Sequence, residues 1–382
     1  MDPGLSFFPQ SGTAGGAPPK YLPSTHPTSA SPMAAERVRH ALLILPLLAA
    51  CRSGAPATLP TPATAIVAAP VTEAEVARQL GALAHDSMEG RRTATAGELR
   101  AARFIAGEMD RIGLEARGDS GYLQRVTLTA LVGQNGAVRL RLGLPDSAGN
   151  LPTGERRTAF NVLGAIPGAD PALRDEVVLV GAHYDHLGIG PAVAGDSVYN
   201  GADDDASGVV ATLGIAAALK AGPPPKRTIL FAAFTGEEVG LLGTRWYIAR
   251  PSYPIERTVA NLQIEMIGRP DSLAGGAGKG WLTGYERSTM GDILKAAGSP
   301  IVPDPRPSQN FFMRSDNIAF ARLGIPAHTL SSYNLHADYH RPTDEAQAAD
   351  VPHMTAVIRA AAAMVRQLAD GPRPEWHPGG RP

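Results

Sequence analysis

Val177-Val-Leu-Val-Gly-Ala-His-Tyr-Asp-His186 runs from an apolar, β-branched stretch into two imidazoles and a carboxylate, and Asn200-Gly-Ala-Asp-Asp-Asp-Ala-Ser-Gly208 follows shortly after. The first stretch reads as a buried strand that delivers His183 and Asp185 just past its end. The second is a loop whose three aspartates open a long apolar helix near Ala206. Carboxylates packed together repel one another, and a dication is the usual compensation. The expectation is a metal site.

Working outward, the same alternation recurs. A strand over 228–234 runs into Thr235-Gly-Glu-Glu238, and another over 260–266 places Glu265 near its end. Helices are expected over 206–219, where Gly222-Pro-Pro-Pro225 stops the chain, and over 241–249, 286–297 and 354–368. A late strand covers 325–330. Toward the N-terminus, Thr72-x-x-Glu75 resembles a capping box, 97–113 forms a second amphipathic helix closed by Gly113, 122–150 gives short strands, and 161–167 gives another. The pattern predicts an α/β fold, a mostly parallel mixed sheet sandwiched by helices.

In such sheets functional residues collect beyond the carboxyl ends of the strands. His183, Asp185, Asp203, Glu237, Glu238 and Glu265 fall there, and His340 lies in Asp338-Tyr-His-Arg-Pro-Thr-Asp344 after the late strand. Each alone has a plainer reading. Glu237-Glu238 suit a helix N-terminus electrostatically, and at least one of Asp203–Asp205 is expected to be an N-cap. Glu265 is the least ordinary, because a buried carboxylate without a partner is costly. The weight rests on their joint placement.

Composition narrows the classes. The chain has 382 residues, 44% hydrophobic and 19% charged, which suits a folded body. A net charge of −1 argues against a nucleic-acid role built on a broad basic surface. With one cysteine there is no internal disulfide and no cysteine-built zinc site, so His, Asp and Glu must hold any metal. That cysteine ends Leu48-Ala-Ala-Cys51, behind Arg37, Arg39 and the apolar run 41–48. The run is far short of the roughly 20 residues of a spanning helix. Segment 33–51 therefore reads as a lipoprotein-type signal peptide and lipobox, with export and lipid anchoring at Cys51 to a bacterial membrane, the outer one expected. Residues 1–32 read as a mis-called extension, 52–70 as an Ala/Pro/Thr-rich tether, and 71–382 as the folded domain.

The segments His183-Tyr-Asp185, Gly201-Ala-Asp-Asp-Asp-Ala-Ser-Gly208, Thr235-Gly-Glu-Glu238, Glu265-Met-Ile-Gly268 and Tyr339-His340 together resemble the co-catalytic zinc aminopeptidases of the M28 peptidase family. The resemblance covers roughly 75–370 and implies a zinc-exopeptidase fold of the phosphorylase/hydrolase-like kind. It implies two zinc ions, one on His183, Asp203 and Glu265, the other on Asp203, Glu238 and His340, with Asp203 bridging. It also implies hydrolysis of N-terminal peptide bonds through a metal-bridged hydroxide, with Glu237 as general base. Many relatives carry aspartate where this chain has Glu265, whose longer arm bears on metal spacing. Asp185 is placed to accept the other ring N–H of His183, and Tyr339 to donate to the developing oxyanion.

Other residues receive plainer expectations. Ser315 or Asp316 should cap the helix that follows, and Asn317, where relatives often carry histidine, has no metal role. His186 and His336 lie near the cleft, where substrate contact is one reading and an ordinary polar role the preferred one. Arg91-Arg92 line the cleft or sit on a solvated surface. Arg269 or Arg341 at the cleft would favour dipeptidase or carboxypeptidase specificity by binding a substrate carboxylate. The same scaffold would also suit a glutaminyl-cyclase-like acyltransferase or a non-catalytic binding protein. His and carboxylate donors suit zinc but also cobalt or manganese.

Overall fold

Seven residues in a row, Val177–His183, are buried in a central strand, because helices cover both faces of the sheet there. The computed structural model describes residues 71–133, 136–146 and 149–382, all within one compact unit, Ala63–Pro382. The signal, the Cys51 lipobox and the tether expected before residue 71 lie outside the described residues.

The strands are β1 Glu115–Ala116, β2 Leu123–Val132, β3 Val138–Leu142, β4 Glu155–Ile166, β5 Val177–His183, β6 Gly188–Val193, β7 Asp196–Tyr199, β8 Thr228–Phe234, β9 Thr258–Ile264, β10 Gly280–Leu282, β11 Ile301–Pro303 and β12 Ala327–Ser331. The helices are α1 Glu73–Leu83, α2 Ala96–Ile112, α3 Gly208–Lys220, α4 Leu242–Ala249, α5 Thr289–Ala296, α6 Asn317–Arg322 and α7 Val351–Asp370. The main sheet has the order β11-β10-β12-β9-β5-β8-β4-β2-β3, with β1 on β4, and β6 and β7 form a separate hairpin. Its centre, β12-β9-β5-β8, is parallel, and antiparallel pairs extend it on both sides.

Alternate residues of the central strands serve the two faces. Val178, Val180, Ile229, Phe231, Leu262 and Ile264 join the core shared with α1, α2, α3 and α7. Val177, Leu179, Leu230, Ala232 and Phe234 meet Tyr247 of α4 and Ile318 and Phe320 of α6. Burying such a side chain contributes roughly 1.5–3 kcal/mol, so the strand ends are held rigidly. Thr72 caps α1 by accepting from the Glu75 N–H, and Gly113 ends α2 in the left-handed conformation, φ 80°. The carboxyl ends of β5, β8, β9 and β12 open to one side, where the polar residues collect.

Candidate metal centre

Asp204 is the residue on which the polar cluster converges. Its Oδ1 lies 3.2 Å from His183 Nε2, at the end of β5, and its Oδ2 lies 3.1 Å from His340 Nε2. Glu238, in the turn after β8, brings Oε1 to 3.3 Å from the same His340 nitrogen. His183, Asp204 and Glu265 place one ligand atom each within 4.8 Å of one another, and so do His186, Asp204 and Glu238. Thus His183, Glu238, Glu265 and His340 come together as the sequence predicts.

Asp203 does not join them, and the expected bridging position belongs to Asp204. Asp203 Oδ1 accepts the Gly268 N–H at 2.6 Å and the Ser207 hydroxyl at 3.2 Å, while Oδ2 lies 2.9 Å from His336 Nε2. Asp205 Oδ1 accepts the N–H groups of Gly208, the first residue of α3, and of Met266; the N-cap position itself is Ser207, with no side-chain cap, so the expected aspartate N-cap is not found there. The cause is an irregular π-type turn over Ala202–Ser207, entered through Gly201 at φ 52°. It sends three successive carboxylates in three directions. A side chain at Gly201 would sit 2.1 Å from the Asp204 carbonyl oxygen and 2.5 Å from the His186 ring, so only glycine fits.

Asp185 serves His183 differently from expectation. The backbone carbonyl of Asp185, not its carboxylate, lies 3.1 Å from His183 Nδ1, and the nearest carboxylate oxygen is at 3.7 Å. The carboxylate instead accepts the Glu237 N–H at 3.0 Å and the Thr93 hydroxyl at 2.8 Å. Glu98 of α2 accepts the Ala94 N–H at 2.7 Å and the hydroxyl of Thr235, two residues before Glu237. Thr93 thus reaches Glu237 through one carboxylate. Thr93→Val should lower kcat/KM about tenfold by loosening that carboxylate, with Thr93→Ser restoring it. Equal loss in both variants would show that only packing matters there.

Charges in the cluster compensate one another through protons. Burial disfavours a charged His183, yet the Asp185 and Asp204 carboxylates hold it well above the ordinary histidine range. Burial likewise opposes His340, but Asp204 and Glu238 carry it to about 10. Burial and Asp204 push Glu238 up, and His186 and His340 hold it at about 2. Burial raises Glu237 well above the usual carboxylate range; His183 opposes the shift, and Glu265, Glu238 and Asp316 add to it. Nε2 of His183 and Nε2 of His340 are buried and make no hydrogen bond among the described residues. Imidazole nitrogens beside carboxylate oxygens without hydrogen-bond geometry are spaced as donors about a shared ion, and dications replace the protons that balance the apo cluster. The residues present form two clusters that share Asp204, each with a donor set that fits a divalent metal.

Tyr339 stacks on His340 with ring centroids 3.9 Å apart, and burial with Asp204, Glu238 and Glu265 nearby keeps its hydroxyl protonated. Arg269 is engaged by Asp338 at 2.7 Å, with Asp344 at 3.8 Å; Arg341 remains exposed. Asn317 is buried between the Phe312 carbonyl and the Thr329 hydroxyl, in agreement with a structural role. Asp316 makes no side-chain cap on α6; it is buried beneath the site, and burial lifts its carboxyl to about 7.

Sequence reasoning missed several supports. Asp344 accepts the N–H groups of Asp203 and Asp204, fixing the turn. Arg91 neither lines the cleft nor meets solvent: it is fully buried and donates to the carbonyls of Leu83, Tyr184, Asn200 and Gly201. Arg92 stays exposed. His186 is buried with Nδ1 2.9 Å from Glu238 Oε1. Its position directly after His-x-Asp was the available signal.

Against known families, the model described as peptidase family M28 matches residues 161–365. The probable leucine aminopeptidase 2 of Aspergillus fumigatus is 31% identical over 183 residues, 45% of this chain and 33% of that protein. Leupeptin-inactivating enzyme 1 of Streptomyces exfoliatus is 26% identical over 197 residues, 51% of this chain and 40% of that protein. The chain therefore spans well under half the length of these relatives. Among solved structures, BSAP, a zinc aminopeptidase from Bacillus subtilis, superposes with a TM-score of 0.58 at 17% identity, over 79% of this chain and 96% of that one. A Porphyromonas gingivalis glutaminyl cyclase gives 0.53 at 16%, over 78% and 98%. At such identities the likeness establishes the fold.

Proposed function

Because the chain belongs to peptidase family M28, whose model spans more than half of it, we propose that it is an exported, zinc-dependent aminopeptidase that removes residues from free peptide N-termini. The observation that carries the reading is the divided Asp204 carboxylate, with one oxygen facing His183 and the other facing His340, and Glu237 beside but outside that set. His183, Asp204 and Glu265 would hold one ion, and Asp204, Glu238 and His340 the other. Bound there, the dications supply Lewis acidity and acidify water.

The chain's own residues do the rest. Glu237 takes the proton of the attacking water and returns it to the leaving amine. Asp185 anchors the Glu237 backbone, and its carbonyl holds the His183 ring. Tyr339, kept protonated, donates to the carbonyl oxygen as charge develops on it. Arg269 is already engaged by Asp338, which leaves it less free to hold a substrate carboxylate and favours the free N-terminus as the recognised end. Export and lipidation at Cys51 belong to the same proposal, and Cys51→Ser should move the protein from the membrane to the soluble fraction.

The test uses the zinc-loaded protein and Glu237→Gln with one peptide in four forms: free, N-acetylated, C-amidated and doubly blocked. Mass spectrometry should show shortening from the N-terminus that acetylation stops, amidation spares and the variant lacks. Shortening that needs a free C-terminus would transfer specificity to Arg341. With two ions bound and no form cleaved, the peptidase reading ends.

A further inference from the structure

The two metal positions are not equivalent in this chain. His340 Nε2 lies 3.1 Å from Asp204 Oδ2 and 3.3 Å from Glu238 Oε1. His186 Nδ1 faces the same two oxygens, 3.8 Å from the first and 2.9 Å from the second. Donors bonded at about 2.0–2.1 Å to one tetrahedral ion stand roughly 3.3 Å apart, and these four separations lie around that value. The two rings meet edge-on, with centroids 5.6 Å apart and planes at 69°, and each presents a nitrogen to the same pair of carboxylate oxygens. On the other side of Asp204, among the described residues, the group holds one imidazole, His183, with Glu265.

We propose that His186 is a protein ligand of the second position, so that this position has four protein donors, His186, His340, Asp204 and Glu238, while the His183, Asp204 and Glu265 position has three. The inference rests on the two-metal reading above and deepens it. Closed four-donor sites hold zinc tightly, and three-donor sites keep a place for water or substrate. The second position is then the tight, architectural one, and the first is the exchangeable one that meets the substrate.

Several features hold His186 in place. Its N–H donates to the Arg91 carbonyl at 3.3 Å, and it bridges to Arg92. Gly201 leaves room for the ring, which a Cβ would contact at 2.5 Å. Its Nε2 is buried and makes no hydrogen bond among the described residues, so Nδ1 is the only polar engagement of the side chain.

The test is metal binding rather than turnover. Wild type, His186→Ala and His186→Gln are titrated in the apo form with zinc against a chelator and with cobalt(II) followed by visible absorption, with thermal melts of the apo forms as a folding control. Wild type should bind two ions, the first at least a hundredfold more tightly and with the intense absorption of tetrahedral cobalt. Both variants should lose that first, tight step and its absorption while retaining a weaker site. Glutamine can still donate to Glu238 but does not replace an imidazole ligand. Wild-type affinity in His186→Gln would therefore overturn the ligand role in favour of a hydrogen bond to Glu238, and unchanged binding in both variants would overturn it outright. A wild type that takes up no second ion would bring down the two-metal reading itself.

Discussion

Asp204→Asn should empty both metal positions and lower kcat/KM by on the order of 10⁴ or more. The reason is geometric. Asp204 gives Oδ1 to the His183 side and Oδ2 to the His340 side, so one substitution removes an anionic donor from each. It also removes the charge that pairs with both imidazoles. Burial raises the Asp204 carboxyl, but His183 and His340 hold it well below the ordinary range, so it stays ionised throughout the working pH range. Asp203→Asn should behave differently. It weakens contacts to Gly268, Ser207 and His336 and should lower the melting temperature while both ions still bind. Metal content after dialysis, measured for both variants, decides the matter. Two ions retained by the Asp204 variant and lost by the Asp203 variant would restore the first aspartate as the bridge.

Arg91→Met should cost about 4 kcal/mol of stability, because the buried carbonyls of Leu83, Tyr184 and Asn200 lose their donor together, while Gly201 keeps the Ala206 N–H, and each unsatisfied group costs roughly 1–3 kcal/mol. The methionine recovers part of the packing, which keeps the figure below the full sum. Burial disfavours the Arg91 charge, and Asp344, Asp204, Asp185 and Asp205 favour it, so the guanidinium also offsets the acids above it. Its carbonyl partners flank both ligand-bearing loops, at Tyr184 and at Asn200 and Gly201. A melting temperature lower by several degrees, with zinc affinity falling in parallel, is the expected result. An unchanged melt would mean that water replaces the guanidinium without loss.

The fold was legible where burial is two-sided and the apolar run is uninterrupted. Strand β8 occupies the expected 228–234, and β5 exceeds its expected range only by His183. The convergence of His183, Glu238, Glu265 and His340 was legible because each ends or follows a central strand. Which of three adjacent aspartates turns inward was not, since an irregular turn has no period from which to count. The aspartate N-cap foreseen among the three is not there: Asp205 accepts the Gly208 N–H, but the N-cap position of α3 is Ser207. Arg91 escapes a reading from sequence because arginine is rarely buried, and only the folded chain shows four carbonyls converging on it. His186 escapes it because a lone loop histidine has many ordinary uses.

Thr93 and Glu98 connect a segment near the start of α2 to the machinery that the family model covers. A boundary drawn at residue 161 would keep every proposed metal donor and discard the struts beneath Asp185 and Thr235. Transplanting the matched segment alone onto another scaffold would thus carry over the chemistry without its tolerances. The unit that an engineer must move begins no later than Arg91, and its catalytic precision is a property of two stretches far apart in the chain.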